Sequence, residues 1–275
     1  TTEIYTLSLH DALPISYTAK QIAGWLYRRG APEIRGMTDL SLATRNMLEK
    51  GYETGLIAPE SVAAGSDGTR KYLFRITGNR FIETAYIPDR DRATVCISVQ
   101  SGCRMGCGFC MTARQGFQGN LTTNEILNQF RSLPEHESLT NIVFMGMGEP
   151  LDNLEEVLRS LEILTSEWGY GWSPTRITVS TVGITGKIKE FLEKSRVHLA
   201  VSLHSPFDEE RQRLMPVQKA HPVRDILDTV RSFDFGRQRR VSFEYIVFQG
   251  VNDSPSHVRE LARILNGIRC RINLI

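Results

Sequence analysis

From Arg92 onward the sequence repeats one pattern: a short apolar run, a polar or glycine-rich loop, then an amphipathic stretch. The apolar runs are ATVCISV, NIVFM, RITVS, VHLAVSL, VSFEYIVF and RINLI. One helical stretch opens at Thr122 with Glu125 three residues on, and another at Asn153 with Glu156 in the same relation. Both have the spacing of a capping box. Further helical stretches cover 187–194, 223–233 and 256–265. Strands alternating with helices predict parallel β/α units, because a parallel strand can only be reached by a crossover. Alternation alone leaves a doubly wound sheet and a barrel or partial barrel both open.

Upstream the pattern differs. Ile22, Trp25, Leu26 and Arg29 sit at helical spacing with Gly30 as a stop, and Asp39-Leu40-Ser41 opens a second helix carrying Leu42, Met47 and Leu48. These predict a small helical module at 17–60. KYLFRI, a Thr-Gly-Asn turn and RFIETAYI predict a β-hairpin within 61–91. The core then runs from 92 to 275. Residues 1–16, TTEIYTLSLHDALPIS, hold no sustained period, resemble a translated sequencing adapter and are expected to be an artefact or a disordered tail.

No apolar run approaches the roughly 20 residues of a membrane span, and no secretory signal is visible. The net charge of +2 neither demands nor excludes a nucleic-acid partner. Five cysteines, three of them within eight residues, argue against a secreted disulfide framework. A reducing cytoplasm and a metal site fit better.

Parallel β/α folds carry their chemistry in the loops after strand C-termini. After the first strand comes QSGCRMGCGFCMT and after the second GMGEP. The third ends in Ser180-Thr181 and the fourth in Ser202-Leu203-His204. Cys103, Cys107 and Cys110 form a C-x3-C-x2-C trio, soft ligands on one loop with no fourth cysteine nearby. Three thiolates on a cubane iron–sulfur cluster leave one iron open. A zinc knuckle completed by a distant histidine, or three free thiols, are the alternatives. Glu149 in the GEP turn places a carboxylate at the rim, where an amino group could be held.

At these residues the chain resembles the radical S-adenosylmethionine (SAM) superfamily and, within it, the RlmN family of adenine-C2 RNA methyltransferases. The resemblance runs from Tyr17 to the last residue. Its carriers are QIAGWLYRRG with MTDLS, RFIETAYIPDRDRATVCISVQSGCRMGCGFCMT, QGFQGNLTTNEILNQ, VFMGMGEPLDN, VSTVGI, LAVSLHSP and CRINLI. It implies an α/β fold, a partial (β/α)6 barrel with a small N-terminal helical domain. It implies a 4Fe–4S cluster on Cys103, Cys107 and Cys110, and SAM contacts at Gly148, Glu149, Ser180, Ser202, Leu203 and His204. Glu83 matches the family's proton acceptor and Cys96 the cysteine that resolves a covalent enzyme–RNA intermediate. A disulfide bond is a further family feature.

The implied substrates are 23S rRNA and tRNA, with a flavodoxin-type reductant, a monomeric state and no membrane. The implied reaction uses SAM twice, first to methylate a cysteine and then as the radical source that carries the methyl group to C2. Ile275 falls within the sixth strand, and the methyl-carrying cysteine is expected further downstream. A chain ending here would hold cluster and SAM without methylating. Two other readings share the cysteine loop: a C8-adenine methyltransferase and a non-enzymatic iron–sulfur protein. Without the resemblance, Cys96 reads as a core cysteine, Glu83 as solvent-facing, His204 as a satisfied rim histidine and Cys270 as a strand-flanking residue. The basic run at 237–240 reads either as an RNA phosphate contact or as a solvated loop.

Overall fold

The computed structural model describes residues 2–3 and 16–275. The expectation for residues 1–16 therefore lies outside the described residues, save for Thr2–Glu3 and Ser16. Helix α1 (Ser16–Ala23) runs on through a π-turn, Gly24–Arg28, and the chain reverses at Gly30, whose φ of 62° suits glycine. Helix α2 (Leu42–Gly51) starts on Ser41, whose hydroxyl accepts from the Thr44 amide at 3.1 Å. Ile22, Leu26, Ile34, Met37, Leu40 and Leu48 are buried in this module. Leu42 and Met47, expected on the apolar face, are 65% and 51% exposed. Only the Leu48 side of this helix of nearly three turns meets the core.

One nine-stranded sheet follows: β1 (Ser61–Ala64), β2 (Arg70–Ile76), β3 (Arg80–Asp89), β4 (Arg92–Cys96), β5 (Asn141–Phe144), β6 (Ile177–Thr181), β7 (His198–Ser202), β8 (Val241–Tyr245) and β9 (Cys270–Leu274). The strands lie side by side in chain order. β1 to β4 pair antiparallel and β4 to β9 parallel. All six core strands are where the alternation predicts them. The hairpin is β2–β3, turning at Gly78 and Asn79, both at positive φ. β3 pairs directly with β4, so the hairpin and the core share one sheet. β1 and β9 end the hydrogen-bonded order. The six parallel strands form an open, partial β/α barrel.

The crossovers hold α3 (Thr123–Arg131), α4 (Leu154–Thr165), α5 (Thr185–Lys194), α6 (Asp208–Leu214) with α7 (Val223–Arg231), and α8 (Pro255–Leu265). On α7, Val223, Ile226, Leu227 and Val230 are all buried, the i, i+3, i+4, i+7 stripe of a helix on a sheet. Each such side chain contributes about 1.5–3 kcal/mol by leaving water. Sequence periodicity did not reveal α6, a short and mostly charged helix.

The Thr122 capping box forms: its hydroxyl accepts from the Glu125 amide at 3.2 Å, and Glu125 Oε2 accepts from the Thr122 amide at 2.9 Å. The matching pattern at Asn153 does not. Asn153 Nδ2 instead donates to the Val99 and Leu121 carbonyls, and Glu156 Oε2 accepts from the Thr123 amide and hydroxyl. The 3-10 turn Pro150–Asn153 already leads into α4, so Asn153 has no free helix start to cap.

Helix α3 is buried along its whole length despite its polar sequence. Two of its three side-chain amides, Gln129 and Asn128, are matched to backbone, while the buried Asn124 amide has no partner among the described residues. Gln129 Oε1 accepts from the Ser98 amide and Nε2 donates to the Ser98 carbonyl. Asn128 makes the same two-way pairing with Ile57. These bonds join the barrel to the segment leaving the helical module and leave neither Gln129 nor Asn128 with an orphaned donor. No helix among the described residues is long and apolar enough to cross a membrane.

Candidate active site

Strand β4 continues past its last paired residue. The Val99 and Gln100 amides both donate to the Met147 carbonyl, so the first and second strand ends stay in contact beyond the sheet. Gln100 and Ser101 then pair antiparallel with Asn120 and Gly119, a short ribbon that closes the base of the cysteine loop. Gly102 sits on that seam with φ 71°, and a Cβ there would stand 1.6 Å from the Gly116 carbonyl oxygen. The far side of the loop is tied to α6, where the Gly108 amide donates to the Leu214 carbonyl at 2.9 Å. Arg104 Nε pairs with Asp152 at 2.9 Å and lies 3.8 Å over the Phe117 ring.

The GMGEP loop lies flat on this extension. A Cβ on Gly146 would meet the Ile97 carbonyl oxygen at 2.7 Å, and one on Gly148 would meet Gln100 Cβ at 2.5 Å. The Glu149 amide donates to Gln100 Oε1 at 2.9 Å. The Glu149 carboxylate is 2% exposed. It turns inward, where Oε1 accepts from the Thr181 hydroxyl at 2.6 Å and the Leu151 amide at 3.0 Å, and Oε2 accepts from the Val182 amide at 2.9 Å. Burial raises its pKa to about 7 against the pull of these three donors. The rim carboxylate expected from sequence is thus a buried brace between β5 and β6.

Ser180 and Ser202 are half-buried at the ends of β6 and β7. Leu203 is buried, with its amide donating to the Glu244 carbonyl and its carbonyl accepting from Arg211 Nε. His204 has φ 56°, its Nδ1 accepts from the Ile246 amide at 3.1 Å, and its ring meets Phe109 of the cysteine loop edge-on at 5.1 Å. Burial, helped by the nearby Arg211 charge, lowers its pKa to about 4. The ring is therefore neutral at pH 7, with its proton on Nε2.

Cys96 and Glu83 lie beside this group. Ala85 on β3 is directly opposed to Cys96 on β4. Directly opposed residues point to the same face of a sheet, and Glu83 is two residues from Ala85, so all three share it. The Ser98 hydroxyl donates to the Glu83 carbonyl at 2.6 Å, and the Glu83 side chain pairs with Lys71 at 2.9 Å. Cys96 is half-buried and its thiol is pushed up to about 11 by desolvation, with the Met145 amide as its hydrogen-bond donor.

Sequence reasoning missed three residues. Thr181 was overshadowed by Ser180, its neighbour in the same strand. Gln100 bridges the Glu149 amide, Asn120 and Asp152. Arg211 is fully buried and reaches four acceptors, the Leu203, Ser202 and Val182 carbonyls and Gln218 Oε1. Only the fold that brings two strand ends under α6 reveals that role.

All five cysteines are free thiols, so the disulfide implied by the resemblance does not form here. Burial and the neighbouring thiols push Cys107 up to about 12, and burial also raises Cys103. Cys103 and Cys107 favour the neutral thiol until metal supplies the positive charge that makes thiolates. Among the described residues no three His, Cys, Asp or Glu groups stand close enough to share one metal ion. A structural zinc site is closed by four ligands, and this loop brings three thiols with no fourth soft ligand. A cubane takes each thiolate on a different iron and accepts wider spacing. The donor set fits a cluster.

Comparison with known proteins agrees with this geometry. The radical SAM superfamily model matches residues 97–263, and the ribosomal RNA large subunit methyltransferase N-terminal domain matches residues 15–53. The chain is 56% identical over 260 residues to a probable dual-specificity RNA methyltransferase RlmN of Parabacteroides distasonis, covering 94% of this chain and 76% of that protein. It is 55% identical to the corresponding Porphyromonas gingivalis protein, covering 99% and 80%. It is 46% identical to the dual-specificity RNA methyltransferase RlmN of Syntrophus aciditrophicus, covering 94% and 76%. A crystal structure of a radical SAM methyltransferase from Sphaerobacter thermophilus superposes with a TM-score of 0.90 at 38% identity, over 100% of this chain and 84% of that one. The chain belongs to the radical SAM superfamily and, within it, to the RlmN-type methyltransferases, enzymes that work with a 4Fe–4S cluster and SAM.

Proposed function

We propose that this chain methylates C2 of adenine in 23S rRNA and in tRNA next to the anticodon, through a methyl-cysteine carrier. The observation that carries the reading is the shared face of Glu83 and Cys96 beside the cysteine loop. C2 methylation needs a base for the C2 proton and a thiol, outside the cluster set, to release a covalently held product. Glu83 and Cys96 are those groups.

Cys103, Cys107 and Cys110 would hold the cluster, which would supply an electron for radical chemistry at a carbon too poor in electrons for polar methyl transfer. The chain's own residues do the rest. Gly148 and Gly146 bring the GMGEP backbone against the cysteine loop, and Gly148, Glu149, Ser180, Ser202, Leu203 and His204 form the SAM-binding rim. Glu149 acts there by bracing β5 on β6, and Leu203 through its backbone position. The Cys96 thiol, held protonated by burial, stays inert at neutral pH until a base frees it, and the Met145 amide then steadies the thiolate. A flavodoxin-type protein is the electron donor.

The test is anaerobic reconstitution with iron and sulfide, followed by SAM, reductant and RNA. Formation of 5′-deoxyadenosine is read first on this chain, and its absence would favour a non-enzymatic iron–sulfur protein. Methylation is read next, by mass spectrometry of digested RNA. The expected product is 2-methyladenosine. Finding 8-methyladenosine alone would overturn the reading in favour of the C8 enzymes.

A further inference from the structure

At the mouth of the barrel opposite the cysteine loop, the strand starts enclose a cavity of about 910 Å³. Arg92, Arg176, Arg237, Arg240 and Arg271 line it together with His198, and no carboxylate does. All five arginines are exposed, and none forms an ion pair among the described residues. His198 Nδ1 accepts from the Arg240 amide at 3.1 Å, and burial together with Arg240, Arg239 and Arg271 lowers its pKa. The histidine therefore adds a neutral polar wall and leaves the charge to the guanidiniums.

Five like charges around one concavity raise a positive potential that the fold does not neutralise from within. The basic run at 237–240 divides accordingly. Arg239 turns into the protein, donating to the Val197 and Leu192 carbonyls under the Phe191, Phe233 and Phe235 rings. Arg237 and Arg240 are left to the cavity. Arg239 is the structural member and its neighbours are free to bind.

The arginines do not converge on a point. Arg92 opens the first parallel strand and Arg271 lies in the sixth, five strand spacings of about 4.8 Å apart along the curved sheet. A single small anion would satisfy two or three guanidiniums and leave the others repelling one another. A polynucleotide backbone offers a phosphate at each step along such a row, and guanidinium forks match phosphate oxygens two at a time. A strand of five residues separates this mouth from the cysteine loop by about 16 Å. An RNA chain spans that length in a few nucleotides, and the partial barrel is open along one side.

We infer that this arginine-lined mouth is a second RNA contact, which holds backbone phosphates flanking the target while the adenine lies at the cluster end. The inference rests on the RNA-methyltransferase reading and adds where, away from the chemistry, that substrate is gripped.

The test is equilibrium binding of an RNA hairpin to the reconstituted protein over a range of salt concentrations, for the wild type, Arg240→Gln/Arg271→Gln and Arg240→Lys/Arg271→Lys. Each lost phosphate contact lowers the slope of log K against log salt by about 0.7–0.9. The glutamine pair is expected to lose about 1.4–1.8 of slope and to bind at least about tenfold more weakly at physiological salt, with most of the loss restored by the lysine pair. Wild-type binding with an unchanged slope in the glutamine pair overturns the inference and leaves the proposed function standing. A wild type that binds no RNA overturns both. Weakened binding of inorganic phosphate alone, with RNA binding intact, assigns the mouth to a small anion and also overturns the inference.

Discussion

The Thr181 hydroxyl donates to Glu149 Oε1 at 2.6 Å and accepts from the Gly183 amide at 3.0 Å, so one hydroxyl sets both the buried carboxylate and the turn after β6. Thr181→Val keeps the shape and removes both bonds. A buried acceptor left short costs about 1–3 kcal/mol. The valine variant is expected to lose that much in urea denaturation at pH 7.5 and to bind SAM more weakly, while Thr181→Ser keeps most of both. Equal stability of valine variant and wild type would show that the bond does not brace the strands.

Gly102→Ala tests the seam of the cysteine loop. Its Cβ would stand 1.6 Å from a backbone oxygen at a φ of 71°, so the ribbon must open. Gly116 also has φ 71° but faces open space, so Gly116→Ala meets only the backbone strain of a positive φ, about 1 kcal/mol. After reconstitution, iron and sulfide content should fall to background in Gly102→Ala and stay near the wild-type level in Gly116→Ala.

The sequence was most legible where a local rule decides the outcome. Thr122 and Glu125 form the capping box through Oε2, while Oε1 of the same carboxylate accepts from the Thr77 amide. Asn153 and Glu156 have the same spacing but another fate, since the two carbonyls left by the Gln100–Ser101 ribbon lie within reach of the Asn153 amide. Cys103, Cys107 and Cys110 share the loop after β4, where their place in the sequence puts them. Glu149 could be found but its direction could not, because a carboxylate at a strand end is drawn inward only if another element presents donors. Thr181, Arg211 and the arginine-lined mouth depend on register between distant strands, which periodicity does not encode.

Arg211 binds four neutral acceptors and no carboxylate, and its charge lies close enough to Cys107 to favour the thiolate there. Arg211→Met would strand the Val182 and Ser202 carbonyls and Gln218, at about 3 kcal/mol or more. Removing a buried positive charge beside a cluster also disfavours its more negative, reduced form. The methionine variant is expected to unfold at lower urea and, where it takes up iron, to show a midpoint potential shifted negative in a redox titration followed by EPR. Arg211→Lys keeps the charge without the fork, so it should lose stability while holding the potential closer to wild type. Equal potentials in the methionine variant and the wild type would confine Arg211 to tying the strand ends.

His204 gives the protein a defined acid sensitivity. Its pKa in the fold is about 4 against an ordinary 6.5. Between those values the unfolded chain binds a proton that the folded chain does not, so stability rises with pH through this window and is lost as pH falls from 6.5 towards 4. The shift corresponds to up to about 3 kcal/mol. His204→Asn suits the left-handed backbone at φ 56° and keeps an acceptor for the Ile246 amide, but it does not titrate. Urea unfolding followed at pH steps from 7 to 4 should show a shallower loss of stability in the asparagine variant, with the two curves parting below pH 6.5. Parallel curves would mean that the ring is protonated in place and that its burial against Phe109 does not exclude charge.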